Sequence, residues 1–168
     1  TGISNSANVV VLNDVNLAGV TATLPAAYCG IFDGNGKTLS NLSAVLLPKL
    51  SGTAEKPAAV KNLTTDGAAA ALVGNVAGTA SITGITVKNC TTTTACLAAD
   101  ISNNARLTVE DCQVSGKAVY PDAQQYRAGL VLNYNGNSCT VDFRRCAVEF
   151  DGGAHANLVG ILYKEGTN

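Results

Sequence analysis

Four segments of the chain share one pattern, and this repetition constrains the fold more than any other feature. The segments are 71–90, 96–112, 129–146 and 157–168. Each begins with a small residue, Asn, Cys or Gly followed by leucine, and each continues through a short turn into a strand-like stretch. The first three end in a charged or polar pair and a cysteine. Because the spacing between the leucines varies, we expect insertions at the turns.

The strand-like stretches alternate between apolar and polar residues. Residues 85–88 (ITVK), 107–110 (LTVE) and 141–144 (VDFR) show this pattern, which predicts strands with one face on the core. Residues 66–73 are rich in Ala and could form a helix on propensity alone, but flanking glycines and the match to the repeat favour a strand. We therefore expect little or no helix.

Short units of roughly 20–35 residues, built from strands without helices, are typical of a solenoid. Stacked parallel coils bury a continuous core and pair the backbone at about 4.8 Å per step. The sequence therefore predicts an all-β, parallel β-helix spanning 1–168 as a single domain, with degenerate repeats from about 60 to 168. At roughly 22–28 residues per coil, we expect about six or seven coils. An antiparallel sandwich needs hairpin turns every ~8–12 residues, a shorter period than that observed.

The N-terminal part carries a family resemblance. Residues 9–17 (VVVLNDVNL) and 29–42 (CGIFDGNGKTLSNL) resemble the opening coils of right-handed, pectin-lyase-like parallel β-helix proteins secreted or displayed by bacteria. Residues 71–74 with 87–90 are similar to the GLUG-type repeat of such surface proteins. The resemblance implies a right-handed winding, and the matching segments together touch most of residues 9–162.

A conspicuous local motif is the sequence DGNG, made of Asp33, Gly34, Asn35 and Gly36. We interpret it as a structural turn. Gly34 and Gly36 would allow positive φ, and the side chains of Asp33 and Asn35 would cap the turn through hydrogen bonds.

The cysteine count is even, and the six cysteines are Cys29, Cys90, Cys96, Cys112, Cys139 and Cys146. Their spacings are not C-x-x-C, so we expect no metal site. The pairs Cys90–Cys96 and Cys139–Cys146 could each cross a turn and are the candidate disulfides. Cys90, Cys112 and Cys146 occupy equivalent repeat positions and could stack. Stacking at about 4.8 Å exceeds the usual Cβ separation of a disulfide, so it favours buried free thiols or bent geometry.

Charge and hydropathy exclude several function classes. The chain has 11 Lys and Arg against 12 Asp and Glu, a net charge of −1, which argues against nucleic-acid binding and against electrostatic membrane binding. No apolar run is long enough for membrane insertion. The N-terminal residues lack the pattern of a signal peptide. We expect an extracellular or cell-surface protein in its mature form.

No catalytic motif is present, and we expect neither a catalytic residue nor a cofactor. The sequence GNGKT at 34–38 lacks the spacing of a phosphate-binding loop. His155 stands alone in a loop, whereas a catalytic base needs an orienting partner. Stacking could bring Glu110 or Asp111 near Asp142, but carboxylates at strand ends usually form solvated ion pairs.

The favoured function is therefore a non-catalytic structural or interaction protein, such as an adhesin segment. Open β-helix ends invite pairing with a second copy or with another surface protein, and head-to-tail pairing would grow a filament. The candidate assembly edge is Val9, Val10, Val11 and Leu12. The alternative is a carbohydrate-binding module that uses Tyr120 and Tyr126 in the insertion 116–127. A small polysaccharide-active enzyme rests on fold analogy alone.

Overall fold

All the regular secondary structure described is β. The computed structural model describes residues 4–20, 24–92, 95–117, 127–131, 138–151 and 158–159. The strands in chain order are β1 (Val9–Val10), β2 (Val15–Asn16), β3 (Ile31–Ser40), β4 (Leu47–Gly52), β5 (Ala58–Asp66), β6 (Val73–Cys90), β7 (Arg106–Glu110), β8 (Gln113–Lys117), β9 (Arg127–Ala128), β10 (Thr140–Arg144), β11 (Ala147–Asp151) and β12 (Leu158–Val159). No helix occurs in these ranges, and so none there could cross a membrane.

The strands stack as a parallel solenoid of about four turns in the described residues. The main sheet has the order β1–β3–β5–β6–β7–β10, and β2, β8 and β11 extend its rungs beyond a bend. The strand β4 pairs with the first part of β6 and forms a second sheet. Every pairing between these strands is parallel. The predicted all-β parallel solenoid is confirmed, and the antiparallel sandwich is excluded.

The core is built from columns of apolar side chains, one from each coil. In one column Phe32 lies over Val60, followed by Ile82, Val109 and Phe143. The first four are buried and Phe143 packs against them. Because successive side chains of a strand point to opposite faces, the residues before and after each of these lie on the outer face of the sheet. The period-two pattern of the sequence thus becomes a continuous core along the axis.

A stacked bend divides most rungs of the main sheet into two straight segments. The bend residues have positive φ and share one register position on successive coils: Asn62 (φ 54°), Gly84 (64°), Asp111 (54°) and Arg145 (50°). Gly, Asn and Asp tolerate this conformation, whereas a long side chain pays roughly 1–2 kcal/mol for it. Arg145 is therefore the strained member of the column.

Residues 66–73 do not form the continuous strand expected from the repeat. The strand β5 ends at Asp66 and β6 begins at Val73, and the segment between them is a buried corner. Gly67 has a φ of 69°, which turns the chain. The Ala69 N–H donates to the Leu42 carbonyl at 2.9 Å on the preceding coil. Ala68 and Ala71 are buried at this corner whereas the side chain of Ala69 is exposed, and the segment forms a corner rather than a strand.

Candidate functional site

The first rung of the solenoid, residues 9–17, is the candidate functional site. Its strands β1 and β2 pair with β3, at Val9 opposite Phe32 and Val15 opposite Leu39. Within the described ranges no strand pairs with the other edge of this rung. In the described part of the chain, this edge is therefore an unpaired parallel strand edge, which is a template for pairing with another strand.

Polar side chains fix the first rung on the second. The Asn8 carboxamide oxygen accepts from the Ile31 N–H at 3.1 Å, and the Asp14 carboxylate accepts from the Thr38 N–H at 2.8 Å. The Asn41 amide donates to Asn16 at 2.9 Å. The bond to Asp14 lies in the gap between β1 and β2, where ladder bonds are interrupted, and the other two bonds lie at the outer ends of these strands. These polar residues were not predicted from the sequence, although each stands about one coil, 23 to 25 residues, from its partner.

The backbone N–H and C=O groups of the first rung point in two directions, toward β3 and away from it. The Val11 N–H donates to the Asp33 carbonyl at 2.9 Å, and the Leu17 N–H donates to the Ser40 carbonyl at 2.8 Å. Because alternate residues of a strand direct their backbone groups to opposite neighbours, Val10 and Asn16 direct their N–H and C=O groups away from β3. These groups are the donors and acceptors that an added strand would use.

Exposed apolar side chains accompany the open edge. Val10 is 53% exposed and Leu12 is 74% exposed, and Val15 and Val20 are exposed as well. Val9 and Val11 are partly buried and pack on the core. In the predicted edge from Val9 to Leu12, the side chains of Val9 and Val11 therefore face the core, and those of Val10 and Leu12 face solvent.

The DGNG motif lies inside β3 at an irregularity in its register with β5. Asn35 and Gly36 have positive φ, at 51° and 69°. The Asp33 carboxylate accepts from the Asn35 N–H at 2.8 Å and forms an ion pair with Lys61 at 3.2 Å. The hydrogen bond from the Asn35 N–H, and then those from Lys61 and Asn62, lower the pKa of Asp33.

The expectation that Gly34 supplies a positive φ is wrong. Its φ is not positive. Instead the coil above approaches so closely that a Cβ at Gly34 would lie 2.5 Å from the Asn62 carbonyl oxygen and 2.6 Å from the Leu63 Cβ. Gly34 is thus required for the contact between coils and Gly36 for the backbone conformation.

The two candidate disulfides differ. Cys90 and Cys96 are joined by a disulfide with their Cα atoms 6.5 Å apart. Cys146 instead carries a free thiol that contacts the carbonyls of Val109 and Arg144, so the Cys139–Cys146 disulfide is absent. These two cysteines lie on either side of the extended strand β10, which spans about 16 Å at ~3.3 Å per residue. That is far beyond the Cα separation that a disulfide bridges.

The proposed stack of Cys90, Cys112 and Cys146 is also wrong in part. Cys90 lies opposite Gly116 in the pairing of β6 with β8. Cys112 and Cys146 do stack, because the pairs on both sides of them, Glu110 with Arg144 and Gln113 with Ala147, are in register. The burial of Cys112 raises the pKa of its thiol to about 11.

The charged residues considered for catalysis form exposed ion pairs. Arg145 binds Glu110 and Asp111, each at 2.6 Å, and Arg144 binds Asp142. The hydrogen bond from Arg145 lowers the pKa of Asp111. A general acid needs a raised carboxyl pKa at neutral pH, so this arrangement stabilises charge and does not prepare proton transfer.

A polar groove lies on the outer face beyond the bend, where β6, β8 and β11 run side by side. It encloses a cavity of about 410 Å³. Its lining is polar at Thr86, Lys88, Gln113, Ser115 and Glu149 and apolar at Val87, Val114, Ala147 and Val148. This groove could not be predicted from the sequence, because its residues come from three separate coils and meet only through the register.

Tyr120, Tyr126 and His155 lie outside the described residues. In the described part of the chain, no group of three or more His, Cys, Asp or Glu side chains is placed to hold a metal ion. The chain matches no protein-family model, and comparisons with curated proteins and with solved structures found no significant match. The resemblance to pectin-lyase-like proteins and to the GLUG-type repeat therefore stays a prediction.

Proposed function

We propose that this chain is a non-catalytic structural protein of the cell surface or extracellular space that assembles end to end through its first rung. The observation that supports this most strongly is the open edge of β1 and β2, with its exposed Val10 and Leu12. The strands β1 and β2 contain no charged residue and no proline, and the carboxylate of Asp14 between them accepts from the Thr38 N–H of the second rung. An edge of this kind favours pairing with another strand.

The occupant that fits this edge is the opposite end of a second copy. Among the described residues, the column through Val9 and Phe32 reaches Phe143 on β10, whose only described partner is β7. A second copy that places its Val9 over the last apolar residue of this column continues the column by one coil step. This contact is head to tail, so it repeats without closing and produces a filament.

An extracellular location is supported by the Cys90–Cys96 disulfide, since disulfides persist in oxidising compartments. We further propose that the complete solenoid is right-handed and has six or seven coils, as the resemblance and the repeat length imply. The handedness follows the rule for parallel crossovers.

The test is sedimentation velocity over a wide range of concentrations, with electron microscopy of the largest species. The decisive pair of variants is Val10→Pro and Val10→Thr. Both remove the valine side chain, but only proline removes the N–H that points away from β3. Proline is tolerated on an edge strand, and so both variants should remain folded.

We expect concentration-dependent growth for the wild type, weaker growth for Val10→Thr and none for Val10→Pro. Equal growth of the two variants would contradict strand pairing and leave only an apolar contact. A wild type that stays at one chain's mass at every concentration would refute the assembly. Ala69→Lys, at an exposed position on a middle coil, is the control and should assemble normally.

A second candidate function is carbohydrate binding, and the polar groove supports it. Thr86, Gln113 and Glu149 supply the hydroxyl, amide and carboxylate groups that bind sugar hydroxyls. Binding to a glycan panel, lost in Gln113→Ala but kept in Val10→Pro, would favour this function over assembly. If binding depends on Tyr120 and Tyr126 instead, the insertion carries it and the groove does not.

A further inference from the structure

We propose that Cys112 and Cys146 form a second disulfide when the protein meets an oxidant, and that this bond ties the last two rungs of the main sheet together. The sequence alone favoured Cys139 as the disulfide partner of Cys146 and, for a stack with Cys112, free thiols or bent geometry. The pairing follows from the register of β7 with β10 and of β8 with β11.

The backbone places the two cysteines directly opposite each other. The Asp111 N–H donates to the Arg144 carbonyl at 3.0 Å, and the Ala147 N–H donates to the Cys112 carbonyl at 2.9 Å. These bonds fix the segment on both sides of the pair. Neighbouring strands lie about 4.8 Å apart, which is inside the range of Cα separations, roughly 4.4–6.8 Å, that disulfides span.

Both side chains point into the solenoid and meet there. Cys112 is buried, and Cys146 is partly buried against the same core. The Cys146 thiol lies within hydrogen-bonding reach of the Cys112 thiol. The shift needed to bond them is at most about 1 Å, because stacked Cβ atoms about 4.8 Å apart must approach to the usual separation of about 3.8–4.5 Å.

The proposed oxidation needs an oxidising compartment, and the Cys90–Cys96 disulfide needs the same compartment to persist. The oxidant we name is a small-molecule disulfide such as oxidised glutathione. The thiolate of Cys146, the more accessible of the two, attacks it, forms a mixed disulfide and releases one glutathione thiolate. Cys112 then loses its proton and attacks the Cys146 sulfur, and the second glutathione thiolate leaves. Two protons and two electrons pass from the protein to the oxidant, giving two glutathione thiols.

The second step should depend strongly on pH. Since burial raises the pKa of the Cys112 thiol to about 11, the reactive thiolate is scarce at neutral pH. Closure should therefore accelerate about tenfold for each pH unit between about 7 and 10.

The experiment equilibrates the wild-type protein in a glutathione redox buffer, blocks remaining thiols in acid, and maps tryptic peptides without reduction. Cleavage after Arg106, Lys117, Arg145 and Lys164 puts Cys112 in peptide 107–117 and Cys146 in 146–164. Cys139 falls in 128–144, and both Cys90 and Cys96 fall in 89–106. A link between Cys112 and Cys146 thus gives a product that differs from the product of every other pairing.

We expect peptides 107–117 and 146–164 to be linked and two hydrogen atoms lighter than their sum. The link should persist in Cys139→Ser and vanish in Cys146→Ser, and oxidation should move the urea midpoint upward in the wild type but not in Cys146→Ser. A Cys112 that stays reduced while Cys146 holds glutathione would overturn the proposal. A Cys146 linked to peptide 128–144 would overturn it as well.

Discussion

Replacing Gly34 with alanine should destabilise the protein more than replacing Gly36, although both glycines lie in one turn. A Cβ at position 34 would meet the Asn62 carbonyl oxygen at 2.5 Å and the Leu63 Cα at 2.7 Å. These are atoms of β5, which is held from the other side by the pairing of Leu63 with Ile85. Reaching an ordinary contact distance would move two coils apart by most of an ångström.

The cost of that displacement is about 2–3 kcal/mol, the upper range for overpacking a core. At Gly36 nothing lies within 4 Å of an added Cβ, and the φ of 69° is the only penalty. Gly36→Ala should therefore cost about 1 kcal/mol and Gly36→Asn less, because Asn tolerates this conformation.

Urea unfolding followed by circular dichroism measures these differences, provided that the m-values agree. The matched pair Gly34→Asn and Gly36→Asn separates the two causes. Asparagine relieves a backbone penalty but not a steric one, so only the Gly36 variant should approach wild-type stability. Equal losses in the two variants would refute the assignment of Gly34 to a contact between coils.

Three further predictions concern charge, strain and covalent bonding. The pKa of Asp33 lies below its ordinary 3.8, so the contribution of its carboxylate to the free energy of unfolding is present above that value and is lost as the pH falls through the folded-state pKa. The stability difference between the wild type and Asp33→Asn, measured by urea unfolding, should therefore shrink between pH 5 and pH 2. Arg145→Gly should be more stable than Arg145→Ala by about 1 kcal/mol, since both lose the exposed ion pair with Asp111 but only glycine relieves the positive φ; equal stabilities would contradict this strain. Cys96→Ser should lower the free energy of unfolding by about 2 kcal/mol through loss of the bond to Cys90, and thermal unfolding of the oxidised proteins would show whether it does.

The period-two alternation could be predicted from the sequence and the register could not. The stretches 85–88 and 107–110 lie in strands, since each alternates strictly between apolar and polar residues. Aligning the repeats on their cysteines placed Cys90 beside Cys112. The structure instead aligns Gly84 with Asp111, because the bend needs a residue that accepts positive φ. A repeat must therefore be aligned on its bends.

The candidate sites likewise include features that the sequence predicts and features that only the register of the coils reveals. The segment from Val9 to Leu12 was predicted as an assembly edge from its apolar residues; the structure shows Val10 and Leu12 exposed, and their role in assembly stays a prediction. The disulfide between Cys139 and Cys146 was wrong because a strand, not a loop, separates them. The polar groove depends on the outer faces of three coils, so no local pattern in the sequence reveals it.

The most direct test of the central claim, that the first rung pairs with a second copy, is amide hydrogen exchange at Val10 and Asn16. Their N–H groups point away from β3, whereas those of Val11 and Leu17 bond to it. At low concentration we expect fast exchange at Val10 and Asn16 and slow exchange at the other two. As the concentration rises, Val10 and Asn16 should become protected. Assembly that leaves their exchange fast, or no change at any concentration, would contradict the account.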